Sequence, residues 1–302
     1  MDSLISLPLS NGPTQLHVAS RKKQAPVLLF VHGGPGNPNR HKIFRHLKGL
    51  KTSFIVAAYD QYGCGDSAHP KNLSVDMLVD QIIEVGIYLK ETYVSPVILI
   101  GESFGSYLSI LALQKEPTLF SAYVGYGQTF DEPEMLKSRM DLFLEKLKIE
   151  GAYSRIEYWN RNKEKLFAAK KGSAWEIRFL SEYYPLMEKG IPSFYRREIM
   201  PFQRSKEYSR KTKKRQMKDS ISCQKKLLSA PFYLPRPLTI DVPVYILAGE
   251  QDVTTTFATQ KKAFDAIIAK EKHFIPMEGL GHMLPFENPA KFIELINSFF
   301  IQ

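Results

Sequence analysis

The residues that could do chemistry gather around one serine. Ser103 lies in GESFG at 101–105, a G-x-S-x-G pattern that follows the apolar run VILI and opens a helix-like stretch. This pattern holds a serine on a tight strand-to-helix turn, where the glycines relieve crowding and the hydroxyl is presented as a nucleophile. The helix that follows offers free N–H groups to negative charge developing on a substrate. A serine hydroxyl needs a base, and the base needs an acid to orient it. In this setting the chain order is serine, acid, histidine. Of the seven histidines only His273 and His282 lie far downstream. His282, in the loop LGHM, is the expected base; His273 falls inside the last strand-like run and reads as a sheet residue. The acid is expected in GEQD at 249–252, with Asp252 preferred and Glu250 the alternative.

An acyl-transfer site also needs two backbone donors for the oxyanion. One is expected from Phe104, directly after the serine. The other is expected from the loop HGGPG at 32–36, where Pro35 has no N–H and Gly34 is the natural donor. His32 in that loop reads as a hydrogen-bonded structural residue.

These residues need a scaffold that brings loops together. Apolar runs at Val27–Val31, 54–59, 97–100, Ala122–Tyr126 and 244–248 read as buried strands, with weaker strands at 15–19 and 273–276. Between them, Val75, Leu78, Ile82, Val85 and Leu89 repeat at helical spacing, and helices are expected at Phe104–Lys115, at 256–268 and from Asn288 onward. Strands alternating with helices predict a mostly parallel sheet covered on both faces. The stretch from about 132 to 234 is helical, aromatic and basic. It reads as an insertion, so that 1–130 and 236–302 form the core and 131–235 a helical cap. Its aromatics, among them Phe143, Tyr153, Trp159, Trp175, Phe179 and Tyr183, either line a pocket or pack the cap itself.

HGGPG, DQYGCGDS at 60–67, GESFGS, GEQD and GLGH at 279–282 together resemble the α/β-hydrolase fold, and HGGPG with the DQ-x-G-x-G-x-S stretch is similar to its proline iminopeptidase branch. The resemblance covers roughly 15–130 and 240–302. It implies release of an N-terminal proline from peptides through an acyl-enzyme on Ser103, with His282 and Asp252 completing a triad. It also implies carboxylates, from the cap, for the substrate's free amine. The cap residues closest to such a motif are Trp175, Glu176 and Glu182, which otherwise read as surface acids beside core aromatics. The family commonly carries arginine where this chain has Tyr62. A carboxylesterase or lactonase acting on an apolar ester is the alternative, since these share the core motifs. A non-catalytic ligand receptor is a more distant one.

Composition bounds the rest. The 302-residue chain carries a formal charge of +10. Residues 131–240 hold 25 basic and 14 acidic side chains, against 16 and 17 in the remainder, so the excess belongs to the cap. The stretch 204–218 alone holds eight Lys and Arg with one acid. It reads as a solvated face, or as a surface for an anionic partner, and no nucleic-acid motif accompanies it. The longest apolar run, about seven residues, is too short for a transmembrane helix, and the acidic start argues against a signal peptide. Cys64 and Cys223 suggest no disulfide framework and fit a reducing cytoplasm. No metal-ligand spacing or nucleotide motif is present, so no cofactor is expected.

Overall fold

Strands that are apolar at every position must be covered on both sides. The computed structural model, which describes residues 1–190 and 195–301, shows how this chain covers them. An N-terminal hairpin, β1 (Asp2–Leu9) and β2 (Gly12–Ala19), leads into β3 (Val27–Val31), α1 (Arg40–His46), β4 (Ile55–Tyr59), α2 (Val75–Tyr93), β5 (Val97–Glu102), α3 (Phe104–Lys115) and β6 (Ala122–Tyr126). A helical segment follows: α4 (Glu132–Ile149), α5 (Tyr153–Phe167), α6 (Ala174–Met187), a wide turn at Tyr195–Ile199, α7 (Met200–Arg204) and α8 (Arg210–Leu227). The chain then returns through β7 (Leu238–Thr239), β8 (Val244–Gly249), α9 (Phe257–Ala266), β9 (Ile267–Ile268), β10 (Lys272–Met277), α10 (Leu284–Glu287) and α11 (Pro289–Phe300).

The main sheet has eight strands in the order β1-β2-β4-β3-β5-β6-β8-β10. β1 and β2 run antiparallel to their neighbours, and the strands from β4 to β10 are parallel. Alternate side chains enter opposite layers. Val27, Leu29, Val97, Leu99 and Ile246 pack with α2 and α3, while Leu28, Phe30, Ile98, Ile100 and Leu247 pack with α1 and α11. Each fully buried side chain of this kind contributes about 1.5–3 kcal/mol. The helix expected from Val75 is closed by Ser74, whose hydroxyl accepts the Met77 N–H at 3.2 Å.

Two differences from the sequence reading have physical causes. β1 is an edge strand with mostly exposed side chains, so it lacks the buried pattern that marks its neighbours. The helix expected over 256–268 stops at Ala266, because Ile267 and Ile268 extend and pair in parallel with Leu238 and Thr239. Two β-branched residues in succession favour that outcome.

The helical segment has its own apolar cluster. Phe143 meets Phe179 and Trp159 edge-on, with ring centroids 5.6 and 6.3 Å away, and Tyr183 joins them. These aromatics form an interior, whereas Tyr153 is exposed. The segment is tied to the β8–α9 loop by Tyr183 Oη, which donates to the Val253 carbonyl at 2.7 Å, and by Arg139 Nε, which donates to that of Thr254 at 2.8 Å.

Candidate active site

The parallel strands deliver their following loops to one edge of the sheet, the usual place for a site in such sheets. Ser103 lies between β5 and α3 with φ +49° and ψ −123°, a conformation that L-residues rarely adopt and that costs about 1–3 kcal/mol. The surroundings hold it there. Ser103 N–H donates to the Tyr126 carbonyl at 3.0 Å, and its own carbonyl accepts from Ser106 N–H and Oγ at 2.8 and 2.6 Å. A Cβ on Gly105 would lie 2.3 Å from the Val31 carbonyl oxygen, and one on Gly101 2.8 Å from Ser106 Cα. Both glycines are therefore required by the close approach of α3 to β3 and β5.

Asp252, in the loop after β8, is buried and held from several sides. One carboxylate oxygen accepts the N–H groups of Thr254 and Thr255 at 2.8 and 2.9 Å. The other accepts Thr255 Oγ1 at 2.8 Å, Gln260 Nε2 at 3.2 Å and His282 Nδ1 at 2.8 Å. A Nδ1–H donated to a carboxylate leaves the lone pair on Nε2, where a base needs it. Burial works against a proton on His282. The charge and hydrogen bond of Asp252, with Glu102 and Glu198 further off, outweigh burial and hold the imidazole above its ordinary 6.5.

Ser103, His282 and Gly34 line one cavity of about 450 Å³. The N–H of Phe104 begins α3, where no preceding carbonyl of the helix can take it. Gly34 comes from the loop after β3, which is clamped from below: His32 Nε2 accepts the Gln61 N–H at 3.0 Å, and Gln61 Nε2 donates to the His32 carbonyl at 2.6 Å. His32 is buried and its pKa is pushed down by burial, so it serves as a neutral strut. The adjoining loop is anchored by Asp60, which takes both Nε and Nη2 of the buried Arg40 at 2.8 Å and Tyr208 Oη at 2.9 Å. Tyr62 is itself buried and donates from Oη to the Gly12 carbonyl at 3.1 Å.

Three acids stand in the rest of the cavity wall, and sequence does not single them out. Glu102 from the elbow and Glu188 and Glu198 from the helical segment line it, with Arg197 and Asn39. Glu102 Oε2 accepts Tyr126 Oη at 2.8 Å and the Asn39 amide. Burial raises the Glu102 pKa, and Glu198 adds to this against Lys42, Tyr126 and His282. Glu188 pairs with Arg197 at 2.7 Å, and Glu198 with the buried Lys42. Glu102 stood in plain view inside the elbow; Glu188 and Glu198 carry no local signal.

The expected amine-binding residues lie elsewhere. Glu176 folds back on its helix start: its N–H donates to Ser173 Oγ at 3.3 Å, and its carboxylate accepts the Gly172 N–H. Glu182 is occupied by Arg155 at 3.1 Å, Trp159 Nε1 at 3.2 Å and Arg178 at 3.4 Å. Trp175 packs on the helical cluster beneath Lys165. None of the three lines the cavity. Their helix positions turn them toward neighbouring helices and solvent. Glu250, the alternative acid, is exposed, while Asp252 meets His282.

A family model described as the alpha/beta hydrolase fold matches residues 26–289, and the chain belongs to that family of hydrolases. It is 24% identical over 305 residues to the "Probable aminopeptidase YbaC" of Bacillus subtilis (strain 168), a match covering 96% of this chain and 94% of that one. It is 29% identical over 111 residues to a proline iminopeptidase of Lactobacillus delbrueckii subsp. lactis, where the match spans only 35% of this chain and 37% of the relative. The fold is also similar to the crystal structure of a proline iminopeptidase from Mycobacterium smegmatis, with a TM-score of 0.64 at 19% identity over 98% and 97% of the two chains. Among the described residues, no helix is long and apolar enough to cross a membrane.

Proposed function

We propose that this hydrolase is a serine aminopeptidase that releases a small N-terminal residue, proline foremost, from short peptides. The observation that carries the reading is the acidic wall of Glu102, Glu188 and Glu198 in the cavity shared by Ser103 and His282. A free α-ammonium group is a cation and is best held by convergent carboxylates. In this reading residues 131–235 act as a cap that brings Glu188 and Glu198 over the nucleophile of the core.

Ser103 Oγ attacks the carbonyl of the first residue while His282 Nε2 takes its proton. Asp252 holds the imidazole in that tautomer and stabilises the imidazolium. The N–H groups of Phe104 and Gly34 receive the oxyanion. The tetrahedral intermediate collapses as His282 returns the proton to the leaving amine, which departs with the rest of the peptide. Water, deprotonated by the same imidazole, then releases the free amino acid and regenerates Ser103. The mechanism invokes no metal or organic cofactor, and Cys64 and Cys223 are free and buried.

Parallel kinetics on a prolyl arylamide and on a panel of aryl esters and lactones test this. Efficient turnover of the arylamide supports the aminopeptidase. Turnover of esters or lactones with none of the arylamide would replace it with the esterase reading.

A further inference from the structure

A second cavity, of about 260 Å³, lies between α8 and the loop after β3. It shares Asn37 and Glu198 with the cavity that holds Ser103, so the two are neighbours along one wall. Its chemistry is of the opposite sign. Lys213 and Lys214 of α8 line it, whereas the first cavity is lined by three glutamates with one arginine. Lys213 donates to the Ser205 carbonyl, and Lys214 is exposed and forms no ion pair among the described residues.

Two buried polar side chains on this wall lack partners among the described residues. His41 and Gln216 are each 6% exposed. Both ring nitrogens of His41 and the Oε1 of Gln216 have no hydrogen-bond partner, although Gln216 Nε2 donates to the Gly36 carbonyl at 2.7 Å. Burial, then the charges of Lys42 and Arg40, push His41 down to about 3, so it presents one donor and one acceptor as a neutral ring. Buried polar groups without partners are uncommon and mark places where a ligand or water completes the set. A peptide backbone, with alternating N–H and C=O groups, offers what both side chains lack.

From this arrangement we infer that the second cavity is a subsite for the leaving side of the substrate, and that Lys213 and Lys214 receive the free C-terminal carboxylate of a short peptide. The inference rests on the aminopeptidase reading and deepens it. A short peptide is a zwitterion whose ammonium and carboxylate ends match the acidic first cavity and the basic second one. Part of the excess positive charge at 204–218 thereby acquires a task, as the receptor of a carboxylate instead of a nucleic acid.

The test compares kcat/KM for a Pro-Ala-Ala free acid with that for its C-terminal amide. The wild-type protein is expected to prefer the acid about five- to tenfold, the scale of a few partly exposed charge contacts. Lys214→Glu should abolish or invert that ratio. Lys218→Glu, an exposed change of equal charge on the same helix but outside the cavity, should leave it near the wild-type value. Equal rates on acid and amide by a wild-type protein that cleaves prolyl arylamide would overturn this inference and leave the aminopeptidase standing. Equal loss of the preference in both variants would also overturn it, by assigning the effect to the general field of α8. Failure of the wild-type protein to cleave arylamide, acid and amide alike would instead remove the reading beneath it.

Discussion

The sheet and the helical segment solve different problems, and they do so with different kinds of residue. Around the sheet, the reactive groups sit at strand ends where backbone geometry is narrowly constrained. Ser103 is held at positive φ between glycines that admit no side chain, and Asp252 is fixed by donors from Thr254, Thr255 and Gln260. In the helical segment, the groups that reach the cavity sit at the C-terminal end of α6 and in the turn before α7. They are positioned by ion pairs, Glu188 with Arg197 and Glu198 with Lys42. The first region fixes its groups through backbone geometry. The second places its groups through side-chain pairs, and it touches the first at the Asp252 loop through Tyr183 and Arg139.

The largest effects should come from the sheet side. Ser103→Ala should lower kcat by on the order of 10⁴ or more with the circular dichroism spectrum unchanged. Retained turnover would remove Ser103 from the mechanism. Asp252→Asn should cost about 10³–10⁴ in kcat, because an amide can stabilise the wrong imidazole tautomer. Next come the glutamates of the cavity wall. Glu188→Gln and Glu198→Gln should each reduce kcat/KM for a free-amine substrate by about 10–100-fold, the value of one charge-assisted contact. Any activity on small esters should survive far better. Glu176→Gln, remote from the cavity, should leave both unchanged; a loss there equal to that of Glu198→Gln would undo the contrast between the two sets of acids.

The smallest effect is on the pH profile. His282 must be neutral to accept the serine proton, and its pKa lies above 6.5, so kcat/KM should fall as pH drops through a point above that value. The Glu102 charge helps to hold the proton on His282, so Glu102→Gln should move the acid limb to lower pH. A shift to higher pH would contradict the electrostatics described here.

The contrast also explains what could be read from the chain. Ser103, Asp252 and His282 were visible because an elbow demands GESFG after a strand and because acid and base must follow in order. The proposed oxyanion donors, Phe104 and Gly34, rest on the same logic, since Pro35 has no N–H; Gly34 lines the cavity with Ser103. Glu176 and Glu182 looked suitable for the amine on local context alone, yet local context does not say which way a helix turns its side chains in the assembled segment. Glu182 is taken by Arg155, Arg178 and Trp159, and Glu176 by its own helix start. Glu188 and Glu198 reach the cavity only when the helical segment and Lys42, far away in sequence, are packed together. The aromatics of α4 to α6 were ambiguous for the same reason, and most of them form the interior of the segment.

The central claim is that carboxylates hold the free amine while the strand-end residues cleave the bond. Its most direct test is the ratio of kcat/KM for prolyl arylamide to that for its N-acetylated counterpart, measured on the wild-type protein. Acetylation removes the cation and leaves the scissile bond intact. A preference for the free amine of about 100-fold or more is expected from the loss of charge-assisted contacts. Equal rates on the two substrates would contradict the account.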